Sequence, residues 1–166
     1  MSENHTAGEA EGDRLLRLLA LDESDLDVIS AHLQDASVRH EDLHYLPRER
    51  RFVLALHRFD WQRAPGEAPR RRLTALHFEQ VRAVRHRYLE KAESGLPLNL
   101  LAVYFLEGDK PSGAVILEFS GGAAIRLEVE CIEAQMKDLG PMWEVENRPV
   151  HRPDDGGDGG SDAGKT

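Results

Sequence analysis

Two histidines stand four residues apart in His40-Glu41-Asp42-Leu43-His44. On an α-helix that spacing puts both rings on one face, separated by about 6 Å of rise, so that they can chelate zinc while Glu41 acts as a base. In an extended chain the same residues share a face but lie about 13 Å apart, too far to share a metal. The flanking sequence favours extension. A helical pattern ends before Ser37 and Pro47 closes the segment, while Pro47 and Arg50 stand where the longer zinc-hydrolase pattern has Gly and His. The segment is expected to be a polar loop, and a zinc hydrolase through His40, Glu41 and His44 ranks third among the functional readings. No metal or other cofactor is expected.

Gly159 to Thr166 spells the phosphate-binding pattern G-x-x-x-x-G-K-T. That loop works only between a buried strand and a helix whose first amides hold the phosphates. Here it follows an Asp/Gly-rich stretch and ends at Thr166, so the match reads as compositional. The same stretch, Gly156 to Asp162, faintly resembles one calcium-binding nonapeptide, but such sites need neighbouring copies.

Arginine carries more functional content. Between Arg48 and Arg87 there are eleven arginines and four acids, a local charge of +7 in a chain whose net charge is -9. Arg70, Arg71 and Arg72 are consecutive in an expected loop beside a strand start. With Arg50, and with Arg48 and Arg63 if they reach the same end, they would form a patch for phosphate or carboxylate groups. Trp61 and Tyr88 would offer stacking surfaces for bases. The competing reading is that these charges simply solvate strand faces and blunt sheet edges. His57 and His77, inside apolar strands, read as hydrogen-bonded half-buried residues. Cys131 continues the alternation of Ile125 and Val129 and reads as a small buried group, with a reactive thiolate as the minor alternative.

These side chains must be positioned by a short series of elements. Asp22 to Ala36 predicts a helix: Asp22 is the N-cap, Leu21 and Leu26 are placed as a hydrophobic staple, and Leu26, Ile29, Leu33 and Ala36 recur at helical spacing. Leu15 to Leu21 suits either a strand or a helical turn. Strands are predicted near Leu43 to Leu46 and over Arg51 to Trp61, joined by a turn from Pro47 to Arg50. Leu73 to Tyr88 reads as one strand broken near Glu79-Gln80. Leu98 to Leu106, Ala114 to Phe119 and Ala123 to Glu130 follow, and Ile132 to Leu139 fits a short helix closed by Gly140 and Pro141. Tight turns between successive strands exclude parallel crossovers. The expected class is α+β: a strongly bent or barrel-like antiparallel sheet of about six to seven strands, with an N-terminal and a short C-terminal helix.

Composition frames that domain. The 166 residues suit one folded unit, expected at residues 13–148, between disordered tails at 1–12 and 149–166. The tails carry -5 of the net charge, leaving -4 on residues 13–150. The longest apolar run, Leu100 to Leu106, is much shorter than the roughly 20 residues of a membrane helix, and residues 1–13 contain acids but no Lys or Arg. A cytoplasmic location with no membrane partner is therefore expected. One cysteine forms neither an internal disulfide nor a Cys-based zinc site.

Several stretches together carry a resemblance: Ile29-Ser30-Ala31-His32-Leu33-Gln34-Asp35-Ala36, Tyr45-Leu46-Pro47, Asn99-Leu100-Leu101-Ala102-Val103, and Ile125 to Glu133 before Asp138-Leu139-Gly140. Over residues 15–143 the chain resembles a family of small uncharacterised bacterial proteins, found mainly in alphaproteobacteria. The resemblance implies a stand-alone domain and transfers no catalytic residue. The leading expectation is a non-enzymatic binding or adaptor domain with a protein partner, ahead of an RNA- or anion-binding module built on Arg50, Arg70, Arg71 and Arg72.

Overall fold

The computed structural model describes residues 15–60, 66, 70–90, 95–140 and 143–144. Both expected tails and the Gly159 to Thr166 pattern lie outside them, as do Trp61 and Arg63. Strands β1 (Arg17–Ala20), β2 (Ala36–Val38), β3 (Leu43–Leu46), β4 (Arg51–Phe59), β5 (Arg70–Phe78), β6 (Val81–Arg87), β7 (Leu98–Glu107), β8 (Gly113–Phe119), β9 (Ala124–Val129), β10 (Ala134–Asp138) and β11 (Trp143–Glu144) accompany one α-helix, α1 (Glu23–His32). They form one sheet in the order β1-β10-β5-β4-β2-β7-β8-β9-β6, with β3 also on β4 and β11 on β5. Each paired ladder is antiparallel.

The sheet turns back on itself through one bent ribbon. Strands β5 and β6 are separated only by Glu79 and Gln80, and Gln80 has φ 60°. Their partners β10 and β9 bend opposite them, held by Glu79 N–H to Glu133 O at 2.8 Å and Glu130 N–H to Gln80 O at 3.0 Å. One arm of the ribbon pairs with β4 and the other with β8. On the far side β2 links the arms, pairing with β4 at Ser37–His57 and with β7 through Ala36–Val38. The ladder is not closed, since β1 and β6 are its two ends.

Inward side chains from both arms share one core, including Leu54, Leu76 and Met136 from one and Val103, Leu117 and Leu127 from the other. Helix α1 covers it with Leu26, Ile29 and Leu33, lying against β7 and β1. Ser30 Oγ accepts the Val103 amide at 2.9 Å, beside a register shift in β7 between Leu100 and Ala102. The helix starts as expected: Asp22 Oδ1 accepts the Asp25 amide at 2.8 Å and Asp25 Oδ2 accepts the Leu21 amide at 3.0 Å. Leu21 itself is exposed, so the staple is not made. The helix stops at Leu33, and Ala36 already belongs to β2.

Two expectations are corrected. The described residues form eleven strands rather than six or seven, because β1, β2, β3, β10 and β11 are short segments with weak local patterns. Among the described residues there is one α-helix, not two, and the fold is a largely β structure: Ile132 to Leu139, expected as a helix, contains β10. An isolated eight-residue helix has little intrinsic stability. A strand between β1 and β5 is hydrogen-bonded on both edges and buries Ala134, Met136 and Asp138 in alternation. The Leu43–Leu46 and Arg51–Phe59 hairpin and the break at Glu79-Gln80 are found where they were expected. No helix among the described residues is long and apolar enough to cross a membrane.

Removing the helix cap tests its contribution. Asp22→Ala is expected to lower stability by about 1 kcal/mol in urea unfolding, since the Asp25 amide then loses its acceptor.

Candidate functional site

Strand alternation divides the arginines. On β4 the inward residues are Phe52, Leu54, Leu56 and Arg58; on β5 they are Phe78, Leu76, Thr74 and Arg72; on β10 they are Ala134, Met136 and Asp138. Register sets Arg58 directly opposite Arg72, and Asp138 opposite Thr74. The apolar face therefore ends in a polar layer, with Arg58 and Asp138 2% exposed and Arg72 1%.

Asp138 holds this layer together. Arg58 grips it with a fork, Nε to Oδ1 at 2.9 Å and Nη2 to Oδ2 at 2.8 Å. Thr74 Oγ1 donates to Oδ1 at 2.8 Å, the Leu16 amide donates to Oδ2 at 2.8 Å, and Arg72 Nε stands 3.8 Å from Oδ2. Burial pushes the Asp138 carboxyl toward neutrality, but the hydrogen bonds from Arg58, the Leu16 amide and Thr74, with the Arg58 charge, outweigh it and hold the pKa below the ordinary 3.8. His32, at the end of α1, is held below its ordinary 6.5 by burial and then by Arg58, against the opposing pull of Asp138 and Asp60.

The four arginines singled out from the sequence do not share a surface. Arg72 belongs to the buried layer. Arg71 lies on the opposite face, its guanidinium 4.2 Å from the Phe59 ring centroid and donating to Ser37 Oγ at 3.2 Å. Arg70 is half-buried, and its carbonyl accepts the Asp60 amide at 3.0 Å. Arg50 sits in the β3–β4 turn with φ 56° and pairs with Glu130, at the other end of β4, about 25 Å along the strand.

A different set of arginines converges. On the outer face of β6-β9-β8-β7 the register builds three rows: Arg87–Ala124–Glu118–Ala102, Arg85–Arg126–Ile116–Tyr104, and Ala83–Glu128–Ala114–Leu106. Arg87, Ala124 and Glu118 of the first row, the whole second row and Leu106 line a groove of about 310 Å³. Tyr104 donates its hydroxyl to Glu118 Oε2 at 2.8 Å, and that hydrogen bond raises the phenol pKa. Arg126 Nε lies 2.5 Å from Glu128 Oε2. Arg85 and Arg87 are exposed, and among the described residues neither has an ion-pair partner. Both lie in the arginine-rich stretch, but their meeting with Arg126 depends on the pairing of β6 with β9, which local sequence does not state.

A family model for proteins of unknown function, DUF2948, matches residues 16–151. The chain belongs to that family. No curated protein and no solved structure matches it. The DUF2948 match covers the buried Asp138 layer and the arginine groove alike, and leaves out the Gly159 to Thr166 pattern.

The remaining sequence candidates occupy separate places. His40–Asp42 is a 3-10 turn and His44 belongs to β3, so the two histidines are not on successive turns of an α-helix. Among the described residues no group of three His, Cys, Asp or Glu side chains is placed to hold a metal. His77 is half-buried, with Nδ1 2.9 Å from Glu79 Oε2 and Nε2 3.1 Å from Gln135 Oε1. Cys131 falls in the ribbon bend, where the alternation slips by one: Val129 and Ile132 are buried and Cys131 is half-buried.

The buried layer gives a pH test. The stability contributed by Asp138 is fully present above its unfolded-state pKa near 3.8 and is lost as pH falls through the lower folded value. His32 adds a loss with the same sign as pH falls through 6.5, because the unfolded chain takes up that proton more readily. Urea unfolding across pH should show both, with the acid limb missing in Asp138→Asn. Asp138→Ala, which removes the carboxylate that the buried Arg58 grips, should cost about 3–5 kcal/mol at pH 7.

Proposed function

We propose that the protein is a non-enzymatic binding domain that receives an anionic group in the groove between β6 and β7. The observation that carries this reading is the placement of Arg85, Arg87 and Arg126 on neighbouring strands around one hollow, with Arg85 and Arg87 lacking ion-pair partners among the described residues. Guanidinium groups bind phosphate and carboxylate through paired charge-assisted hydrogen bonds, so adjacent forks make a better anion site than the consecutive Arg70-Arg71-Arg72. Those three serve the interior and the opposite face. The buried polar cluster is likewise engaged in holding strands together, which supports binding over catalysis as the domain's task.

Docking of a partner strand along the free edge of β6 has less support. Arg82, Arg85, His86 and Arg87 are exposed on that strand, and charge of one sign along an edge opposes strand addition.

Inorganic phosphate at about ten times its dissociation constant should raise the unfolding temperature by roughly 3–6 °C. The comparison is the Arg85→Ala/Arg87→Ala double variant at matched ionic strength, which should lose that gain and keep only the general salt effect. Equal gains in the two proteins would remove the groove as an anion site.

A further inference from the structure

We infer that the groove takes a small bipolar ligand: a flat, largely apolar body with a phosphate or carboxylate at one end and a hydrogen-bond donor at the other. This rests on the anion-binding reading and adds the ligand's size and polarity. Across the first row, Arg87 on β6 and Glu118 on β8 are separated only by Ala124 on β9. Two strand spacings place their backbones about 10 Å apart, and the methyl group between them leaves the hollow open. A guanidinium and a carboxylate thus face each other across a gap, and they do not pair.

Glu118 shows one engaged oxygen. Its Oε2 accepts the Tyr104 hydroxyl, which orients the carboxylate, and among the described residues nothing donates to Oε1, which is left to accept from a ligand. The second row supplies the seat for the body. Ile116 is 8% exposed and forms an apolar floor, with the Tyr104 ring beside it. Aromatic and aliphatic surface of this kind suits a planar group.

The charge pattern argues against a long polyanion. A phosphate track needs a continuous positive stripe. Here Glu118 in the first row and Glu128 in the third flank the arginine row, and Glu128 already holds Arg126. Positive charge is confined to one end of the hollow, as a single anionic head requires.

Calorimetric titration of the full chain tests this with adenosine monophosphate (phosphate head) and para-aminohippurate (carboxylate head), each an anion joined to a planar body with a distal amine. Inorganic phosphate supplies the anion alone and adenosine the body alone. At least one bipolar probe should bind tenfold or more tighter than phosphate or adenosine, and which one does so identifies the head. Ala124→Leu, which fills the hollow without removing a charge, should weaken that probe at least tenfold more than it weakens phosphate, with the circular dichroism unchanged. If phosphate binding depends on Arg85 and Arg87 but neither bipolar probe exceeds it, or if Ala124→Leu leaves the preferred probe unaffected, the bipolar-ligand inference is overturned and the anion site stands. If phosphate binding is the same in the Arg85→Ala/Arg87→Ala variant, the underlying reading fails as well.

Discussion

Two buried arginines face each other across β4 and β5, and the domain is arranged around the carboxylate that makes this tolerable. Like charges directly opposite in a ladder repel, and out of water their repulsion is poorly screened. Asp138 answers by accepting the Arg58 fork and standing 3.8 Å from Arg72. It can do so only if β10 lies beside β5 in one register, because a slip of one residue would turn the carboxylate to the other face. A buried ion pair need not stabilise a fold relative to an apolar replacement, but it penalises every arrangement that leaves one charge unpaired. The layer therefore fixes register more than it adds stability, and it ties β4, β5, β10 and the chain ahead of β1 to one another.

The bent ribbon separates this structural use of arginine from the surface use. Arg72 and Arg85 lie on successive strands of one nearly continuous segment, yet the first points into the core and the second into the outer groove. Val81 is turned inward after the break at Glu79-Gln80, and the register shift between Val81 and Ala83 restores the parity of β5, so odd-numbered residues, Arg85 and Arg87 among them, face outward on β6 as they do on β5. Charge density along the sequence thus splits into a neutralised interior set and an exposed set of different residues.

Local pattern made the strands of the hairpins legible, since period-two alternation and turn residues operate over a few positions. The start of α1 was readable for the same reason: Asp22 accepts the Asp25 amide of the first turn, and Asp25 accepts the Leu21 amide just ahead of the cap. The strand β10 was not, because Ile132, Ala134, Met136 and Leu139 fit helical spacing about as well as alternation, and only its two neighbours decide between them. Three consecutive arginines on a strand cannot form one patch, but that follows only once Arg70 is known to begin β5 rather than to lie in a loop. The groove was hidden for a stronger reason. Its rows bring together residues from four strands, and Arg126 lies far outside the arginine-rich stretch that drew attention to the charge. Family membership adds extent and no chemistry, so the function has to be argued from those rows.

The amide of Leu16 reaches Asp138 across 122 residues of sequence, the longest span in the buried layer. Closing such a loop costs more chain entropy than forming the neighbouring hairpins β7–β8 and β8–β9, whose partners are close in the chain. The N-terminal strand is thus placed to dock after the rest has assembled, sealing a carboxylate already gripped by Arg58. Opening of β1 alone would admit water to Asp138 while β6 to β9 kept their pairing. The edge of the sheet that guards the interior charge and the face that meets ligand thereby belong to separate cooperative units.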